Sequence, residues 1–225
     1  MAYNRNLTEQ HERWLRTSEG MYFDEKEKEL LITSLRLKTG EKILEPGCGT
    51  GRYIRYFNEI GLEAHGIEPV EELIKLAAMK TDIPEDRIKK GNMENLPYKD
   101  VSFDCVIFMT TLEYASDKAK ALKEAYRVSR SRIAVVFLNK NASMNFIKYK
   151  RRRGLTSDAD FFSSGQLKKF AERALLSELD RIDIKIRHTV FLPPQIGRFV
   201  PFVDTVLEKL NLPFGNIAIL VIKKR

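Results

Sequence analysis

The stretch Ile43-Leu-Glu-Pro-Gly-Cys-Gly-Thr-Gly-Arg-Tyr53 places glycines at 47, 49 and 51 between a short apolar segment and a helical pattern. Glycine lacks a Cβ atom, so this turn can adopt positive φ and bring backbone N–H groups close to a ligand at the start of a helix. The dinucleotide fingerprint Gly-x-Gly-x-x-Gly would need glycine at 52, where this chain has Arg52. A tight strand–helix turn can also be purely structural, so other segments must decide between the two interpretations.

The rest of the chain alternates between strand and helix patterns. Apolar or alternating runs predict strands at 42–45, 62–68, 87–90, 103–109, 132–138, 181–192 and 216–222. One-sided apolar patterns predict helices at 24–38, 52–60, 70–80, 117–128, 141–153, 164–176 and 200–210, with Asp24 as N-cap of the first. This alternation favours a parallel sheet covered on both faces. We predict one α/β domain over 1–225, with an N-terminal extension at 1–23 and an inserted basic segment at 140–163.

The formal charge of +8 is unevenly distributed along the 225 residues. Residues 1–110 hold 16 basic and 20 acidic side chains, whereas residues 111–225 hold 23 and 11. The positive excess therefore belongs to the second half, which contains the run Lys148-Tyr-Lys-Arg-Arg-Arg153. Such a run is usually a solvated face, and it is also where we expect any preference for an anionic acceptor to lie.

Several classes of protein are disfavoured by composition. The longest apolar runs, at 133–138 and 217–222, are far shorter than the roughly 20 residues of a membrane-spanning helix. The first ten residues lack the apolar core of a secretory signal, and two cysteines and three scattered histidines predict neither a disulfide scaffold nor a metal site. We expect a cytoplasmic protein.

Four ordered motifs resemble those of the class I S-adenosylmethionine-dependent methyltransferases, in particular the type 11-like group that acts on small molecules. They are Glu45 with the three glycines, Gly66-Ile-Glu-Pro69, Gly91-Asn-Met-Glu-Asn-Leu-Pro-Tyr98, and the strand and loop 103–117. The third motif departs from the family's usual Gly-Asp-Ala-x-x-Leu-Pro-Phe, since Asn92 replaces the acid. The N-terminal segment around Trp14 is similar to one that folds over the cofactor in this group.

The resemblance implies a Rossmann-like fold, with a seven-stranded sheet that is mostly parallel, an antiparallel last strand, and helices on both faces. It also implies S-adenosylmethionine as cofactor and S-adenosylhomocysteine as product. In the family's pattern, Glu68 accepts hydrogen bonds from the ribose hydroxyls and Asn92 accepts one from the adenine amino group. The cofactor-binding residues carried over are Trp14, Glu45, Gly47, Cys48, Gly49, Gly51, Glu68, Pro69, Asn92, Met93, Glu94, Met109 and Thr110.

Several of these residues also have a plain structural interpretation. Trp14 is as consistent with a core side chain as with a cofactor lid, Cys48 can pack as a small residue, and Thr110 can satisfy backbone groups only. No residue is marked as a catalytic base; Glu113 and Tyr114, just beyond the fourth strand, are the nearest candidates.

Three functions remain open for the chain. The compact length and the lid-like N-terminus favour a methyltransferase with a small-molecule acceptor. The basic second half suggests an RNA methyltransferase as the alternative, although no RNA-binding module or aromatic interleaving accompanies it. A non-catalytic regulatory protein that binds S-adenosylmethionine is the third. The acceptor, the acceptor atom and the oligomeric state are left open.

Overall fold

A computed structural model of the chain describes residues 5–79, 83–142, 160–192 and 199–225. Within them lies one seven-stranded sheet in the order β3-β2-β1-β4-β5-β7-β6. The strands are β1 (Lys42–Pro46), β2 (Glu63–Glu68), β3 (Ile88–Lys90), β4 (Phe103–Met109), β5 (Ser129–Leu138), β6 (Ile182–Thr189) and β7 (Ile217–Lys224). Strands β1 to β5 run parallel, and β7 pairs antiparallel with both β5 and β6. The predicted fold class is confirmed.

The described helices cover both faces of this sheet. They are α1 (Arg5–Leu15), α2 (Ser18–Leu35), α3 (Arg52–Glu59), α4 (Glu71–Ala78), α5 (Lys118–Val128), α6 (Ser164–Ala174) and α7 (Val200–Lys209). One buried apolar cluster lies on the face covered by α5 and α6, and a second lies on the face covered by α2 and α3. The central strands are buried on both faces, which accounts for the almost unbroken apolar sequence of β4 and β5.

The order of the strands locates the ligand crevice. The chain proceeds from β1 outward to β2 and β3, then returns to place β4 on the other side of β1. The order in which successive strands are added therefore reverses between β1 and β4. In open α/β sheets, ligands bind at the carboxyl ends of the strands beside such a point.

The start of the second helix differs from the sequence prediction. Asp24 was expected to cap a helix over 24–38, but α2 begins at Ser18, and the Thr17 hydroxyl accepts a hydrogen bond from the Gly20 N–H at 3.1 Å. The helix ends at Leu35, where Arg36 adopts a left-handed conformation with φ of 50°, well before Gly40. Asp24 therefore lies inside the helix, where its carboxylate forms ion pairs with Lys28 of the same helix and with Arg52 in α3.

The other elements lie within a few residues of their predicted bounds. Strand β5 begins three residues earlier than predicted and β6 ends three residues earlier. Ser163 caps α6 with a capping box, as its position suggested. The helix predicted at 141–153 and most of the insertion at 140–163 lie outside the described residues. No helix among those described is long and apolar enough to cross a membrane.

Candidate active site

The glycine turn follows β1 directly and has the positive φ angles that its sequence predicts. Gly47, Gly49 and Gly51 have φ of 77°, 56° and 73°. A Cβ atom on Gly47 would lie 3.0 Å from Cβ of Thr111, so glycine lets the loop after β4 pack directly onto the turn. A Cβ atom on Gly49 would meet nothing within 4 Å. The turn is therefore closed on one side and open on the other, where a ligand can approach.

Backbone N–H groups of the turn are already used within the protein. Those of Gly47 and Cys48 donate to the carbonyl oxygen of Ile67 at 2.7 and 3.2 Å, and that of Gly51 donates to the Cys48 carbonyl at 2.9 Å. The Gly49 N–H donates to a carboxylate oxygen of Glu68 at 2.9 Å. A phosphate-binding turn needs free N–H donors, so this turn is not built for the pyrophosphate of a dinucleotide.

Glu45, at the end of β1, has a buried carboxyl group with an orphaned oxygen. The residue is 3% exposed, and its Oε2 has no hydrogen-bond partner among the described residues. Burial raises its pKa to about 8, against the attraction of Arg52 and Arg55. A buried carboxylate costs free energy unless it is paired, so this position suits a ligand that brings a cationic or hydrogen-bond-donating group.

Glu68, at the end of β2, has a role that the sequence did not reveal. Besides the bond from Gly49, its second oxygen accepts the Val70 N–H at 3.0 Å. Burial raises its pKa, and these two backbone donors oppose the rise. Each carboxylate oxygen has a second lone pair, so the group can hold the turn and still accept hydroxyl groups of a ribose. The following residue, Pro69, is exposed.

The predicted adenine turn lies after β3, and its three candidate side chains point to different partners. Asn92 is exposed, and its Oδ1 accepts the Glu94 N–H at 3.2 Å. Met93 is buried, with its Cε 3.4 Å from the position of a Cβ on Gly47. Glu94 is buried, and one of its oxygens accepts the Ser116 N–H at 2.8 Å. Met93 is thus brought to the glycine turn, whereas Glu94 holds the loop before α5.

The end of β4 supplies the wall opposite β2. Met109 is buried, and Thr110 adopts φ of 52°, which is rare for a β-branched residue and is a form of strain that occurs at functional sites. The Thr111 hydroxyl donates to the carbonyl oxygen of Pro46 at 2.9 Å and so fixes this loop to the end of β1. Thr110 itself donates to its neighbour's carbonyl, as its structural interpretation suggested.

Glu113 lies three residues beyond that strained turn and is the most isolated carboxyl group of the region. It is 2% exposed, and neither of its oxygens has a well-aligned hydrogen-bond partner among the described residues. Burial raises its pKa to about 7, while the nearby backbone N–H groups of Glu113 and of Leu138, the last residue of β5, favour the ionised form and oppose the rise. The carboxyl group is therefore near the carboxyl ends of β4 and β5. Tyr114, the other candidate base, is 38% exposed.

The N-terminal helices contact the start of α3 and the glycine turn. Thr50 of the turn lies 3.5 Å from the carboxylate of Glu12 in α1. Trp14 is half-buried and packs edge-on against Phe23, with ring centroids 5.6 Å apart. A Cβ on Gly20 would lie 2.0 Å from the Trp14 carbonyl oxygen, so the two helices meet at a glycine. These contacts hold α1 against the turn. The indole of Trp14 packs partly against Phe23 and is partly exposed.

A second tie between α2 and α3 was missed by sequence reasoning. Arg52 pairs with Asp24 and lies 3.5 Å from Glu27, whose carboxylate also accepts the Tyr53 hydroxyl at 2.5 Å. The signal was present as two acids spaced three residues apart, but the first of them, Asp24, suggested an N-cap. Arg52, which breaks the dinucleotide fingerprint, thus helps to fasten α2 to the start of α3.

Cys48, His65 and His188 do not add reactive groups to this site. Cys48 is buried, and its Sγ would lie 2.4 Å from a Cβ on Gly66, so it packs against β2, and burial raises its pKa well above the usual range. His188 is buried with its Nε2 2.7 Å from the Ser164 hydroxyl, and His65 lies 2.9 Å from Glu63. Within the described part of the chain, no cluster of three or more potential ligands could hold a metal ion.

Comparison with known proteins agrees with this geometry. The family model for the methyltransferase domain matches residues 44–137, from β1 to β5. An uncharacterized protein of Methanocaldococcus jannaschii is 30% identical over 188 residues, which is 81% of this chain and 82% of that protein. The chain belongs to the class I S-adenosylmethionine-dependent methyltransferases.

Named relatives have diverse activities. Malonyl-[acyl-carrier protein] O-methyltransferase of Pectobacterium atrosepticum is 28% identical over 48% of this chain, an alignment that covers only 42% of that enzyme's length. A solved structure of a Thermotoga maritima protein described as a possible histamine N-methyltransferase superimposes with a TM-score of 0.70 over 98% of this chain and 97% of that one, at 23% identity. The latter likeness supports the fold alone.

The residues of the crevice fit the cofactor that the family implies. S-adenosylmethionine carries a cationic sulfur and an ammonium group, and the crevice contains the buried carboxyl groups of Glu45 and Glu68. Its ribose has two hydroxyl groups that can donate hydrogen bonds to Glu68. This cofactor has no phosphate, so the occupied N–H groups of the turn do not exclude it, although its carboxylate still requires donors elsewhere in the crevice.

Proposed function

We propose that the protein transfers a methyl group from S-adenosylmethionine to a small-molecule acceptor whose nucleophilic atom carries a proton. The observation that carries the proposal is the buried, unpartnered carboxyl group of Glu113, at the carboxyl end of the sheet. The side chain is only 2% exposed, so an acceptor must enter the fold to meet it, which a small molecule does more readily than a macromolecular surface.

The carboxyl group has the properties of a general base. A base works best when its pKa lies near the operating pH, and burial raises the pKa of Glu113 to about 7. Above that pH the ionised group removes the proton of a hydroxyl or ammonium acceptor. A buried carboxylate also favours an acceptor that arrives with positive charge.

The rest of the chain contributes by positioning. When bound, S-adenosylmethionine supplies a methyl group on a cationic sulfur and leaves as S-adenosylhomocysteine. Glu45 and Glu68 hold one side of the crevice, and the Thr111 bond to Pro46 fixes the loop that carries Glu113. Helix α1, through Glu12 and Thr50, covers the turn as a lid. Correct alignment of methyl group and nucleophile supplies most of the acceleration in such a displacement.

The experiment is a screen of amines, alcohols and carboxylic acids with S-adenosylmethionine carrying a labelled methyl group, with RNA as a further acceptor. Label should appear in the small-molecule fraction. With the best acceptor, Glu113→Gln should lower kcat by about 100-fold or more, with an unchanged KM for S-adenosylmethionine. The control Glu59→Gln, on an exposed carboxylate of α3, should keep wild-type kinetics.

Two results would contradict the proposal. Label recovered only in RNA would assign a macromolecular acceptor instead. Full activity of Glu113→Gln, with the rise of kcat/KM through about pH 7 retained, would remove the base assignment. A carboxylate acceptor, which has no proton to lose at that pH, would leave the variant fully active without such a rise and would contradict the proposal as well.

A further inference from the structure

A second concave site lies at the opposite edge of the sheet from the glycine turn. It is a groove of about 1,100 Å³ between the end of α2, the first residues of β5 and β6, the last residues of β7 and the end of α7. The turn follows the carboxyl end of β1, whereas Ser131 and Arg132 of the groove stand near the amino end of β5. Because β1 and β5 both run parallel to β4, the two sites are at different edges.

The groove is lined by an excess of positive charge. Its lining includes eight basic residues against the three acids Glu41, Asp183 and Glu208. The basic residues are Arg36, Lys38, Arg132, Lys185, Arg187, Lys209, Lys223 and Lys224. Several basic residues of the second half of the chain thus lie together on one surface. The run at 148–153 did not predict this surface.

The three acids do not neutralise this surface. Glu41 pairs with Arg132 at 2.5 Å, but Asp183 pairs with Arg225 at 2.9 Å and Glu208 with Lys26 at 3.2 Å, both outside the lining. Seven of the eight lining cations form no ion pair within the described part of the chain, the exception being Arg132. Arg187 and Lys224 donate hydrogen bonds to neutral oxygens instead. The other five are Arg36, Lys38, Lys185, Lys209 and Lys223.

The strand register places two cations of the lining side by side. Arg132 on β5 is directly opposite Lys223 on β7, so the two side chains project from the same face of the sheet. Like charges directly opposite each other destabilise a sheet. Glu41, which pairs with Arg132, and Asp183, which lies opposite Lys223 on β6, offset part of this repulsion, and a bound anion would offset more of it.

The chemistry of the lining indicates the kind of anion. The apolar residues are Leu35, Ile186 and Val221, and no aromatic side chain lines the groove. Protein interfaces depend on buried aromatic or aliphatic anchors. Stacking on aromatic side chains adds affinity for single-stranded bases, so without it any binding here would rest on phosphate contacts alone. Several separated cations without either feature match a row of phosphates.

We propose that this groove binds the phosphate backbone of a single-stranded nucleic acid, without reading its sequence and apart from the methyl-transfer site. Free polyphosphate presents the same chemistry and serves as a second probe. Contacts of this kind release counterions, so affinity falls with salt by a slope of about 0.7 per phosphate contact for single strands.

The test is fluorescence anisotropy of a labelled 20-nucleotide oligouridylate between 50 and 200 mM salt, with wild type and two triple variants of equal charge. One variant is Lys185→Gln/Lys209→Gln/Lys223→Gln in the groove. The other is Lys99→Gln/Lys123→Gln/Lys169→Gln, whose three lysines lie outside the lining. Neither variant alters the run at 148–153, and thermal melting checks that all three proteins fold.

The groove variant should bind at least ten-fold more weakly than the control variant at 100 mM salt, with a salt slope lower by about 2, one contact per lysine removed. Polyphosphate should displace the oligonucleotide from wild type. Equal affinity of the two variants would overturn the proposal, because binding would then follow net charge or the run at 148–153. So would absence of binding at 50 mM salt, or binding to vesicles of anionic lipid without binding to oligouridylate.

Discussion

The buried carboxyl group of Glu113 should make folding stability depend on pH in a way that one substitution removes. In the folded protein its pKa is raised from 4.5 to about 7 by burial. Below about pH 4.5 the group is protonated in both states. As the pH rises through the interval up to about 7, the unfolded chain loses the proton while the folded chain retains it, so stability falls.

The size of the fall follows from the shift. Each pKa unit corresponds to about 1.4 kcal/mol, so the complete loss is about 3 kcal/mol, and about 2 kcal/mol of it falls between pH 5 and pH 8. Gln at position 113 has the same shape and does not titrate. The free energy of unfolding of Glu113→Gln, relative to wild type, should therefore increase by about 2 kcal/mol over that range.

The assay is urea denaturation of both proteins at pH 5 and pH 8 without cofactor, with the difference between the proteins compared at the two pH values. Taking this difference cancels the titration of other groups, including Glu45, whose pKa of about 8 lies in the same range. A difference that is the same at both pH values would refute the assignment of a raised pKa to Glu113.

Three further predictions concern the site. Glu68→Ala removes two backbone hydrogen bonds and the expected ribose acceptor, so S-adenosylhomocysteine should bind about ten-fold or more weakly by calorimetry; equal affinity would exclude Glu68. Gly20→Ala forces a Cβ against the Trp14 carbonyl and should lower both Tm, by several degrees, and cofactor affinity, whereas Gly165→Ala, with open space around it, should lower neither. Because Cys48 and Cys105 are both buried, the native protein should not react with a thiol reagent until it is denatured. Rapid reaction of the native protein would contradict the packing of Cys48 in the turn.

Much of the fold followed from local sequence because local rules and tertiary structure agree there. The glycines between 47 and 51 need positive φ, and the apolar runs of β4 and β5 are buried on both faces. The prediction that Asp24 caps a helix was wrong, because a good N-cap residue is also a good ion-pair partner. Its pairing with Arg52 depends on tertiary structure, which the local sequence does not show. Pairing across 28 residues leaves no periodic signal.

The site was predictable in its motifs but not in its contacts. Glu68 was placed at the crevice by its position after β2, yet its bond to Gly49 depends on how two loops meet. Glu113 was only a candidate, because a sequence does not show that a carboxyl group is enclosed and unpartnered. The basic groove could not be predicted from the sequence, because its cations come from five separate parts of the chain that only the fold brings together.

The internal hydrogen bonds of the glycine turn bear on how the protein works in a mixture of metabolites. Adenine nucleotides and adenine dinucleotides share the adenosine of S-adenosylmethionine and could compete for the same crevice. A phosphate at the turn would find the Gly47, Cys48, Gly49 and Gly51 donors occupied and would approach the carboxyl group of Glu68. We therefore expect repulsion by Glu68 to help exclude adenine nucleotides, in addition to the contacts that attract S-adenosylmethionine.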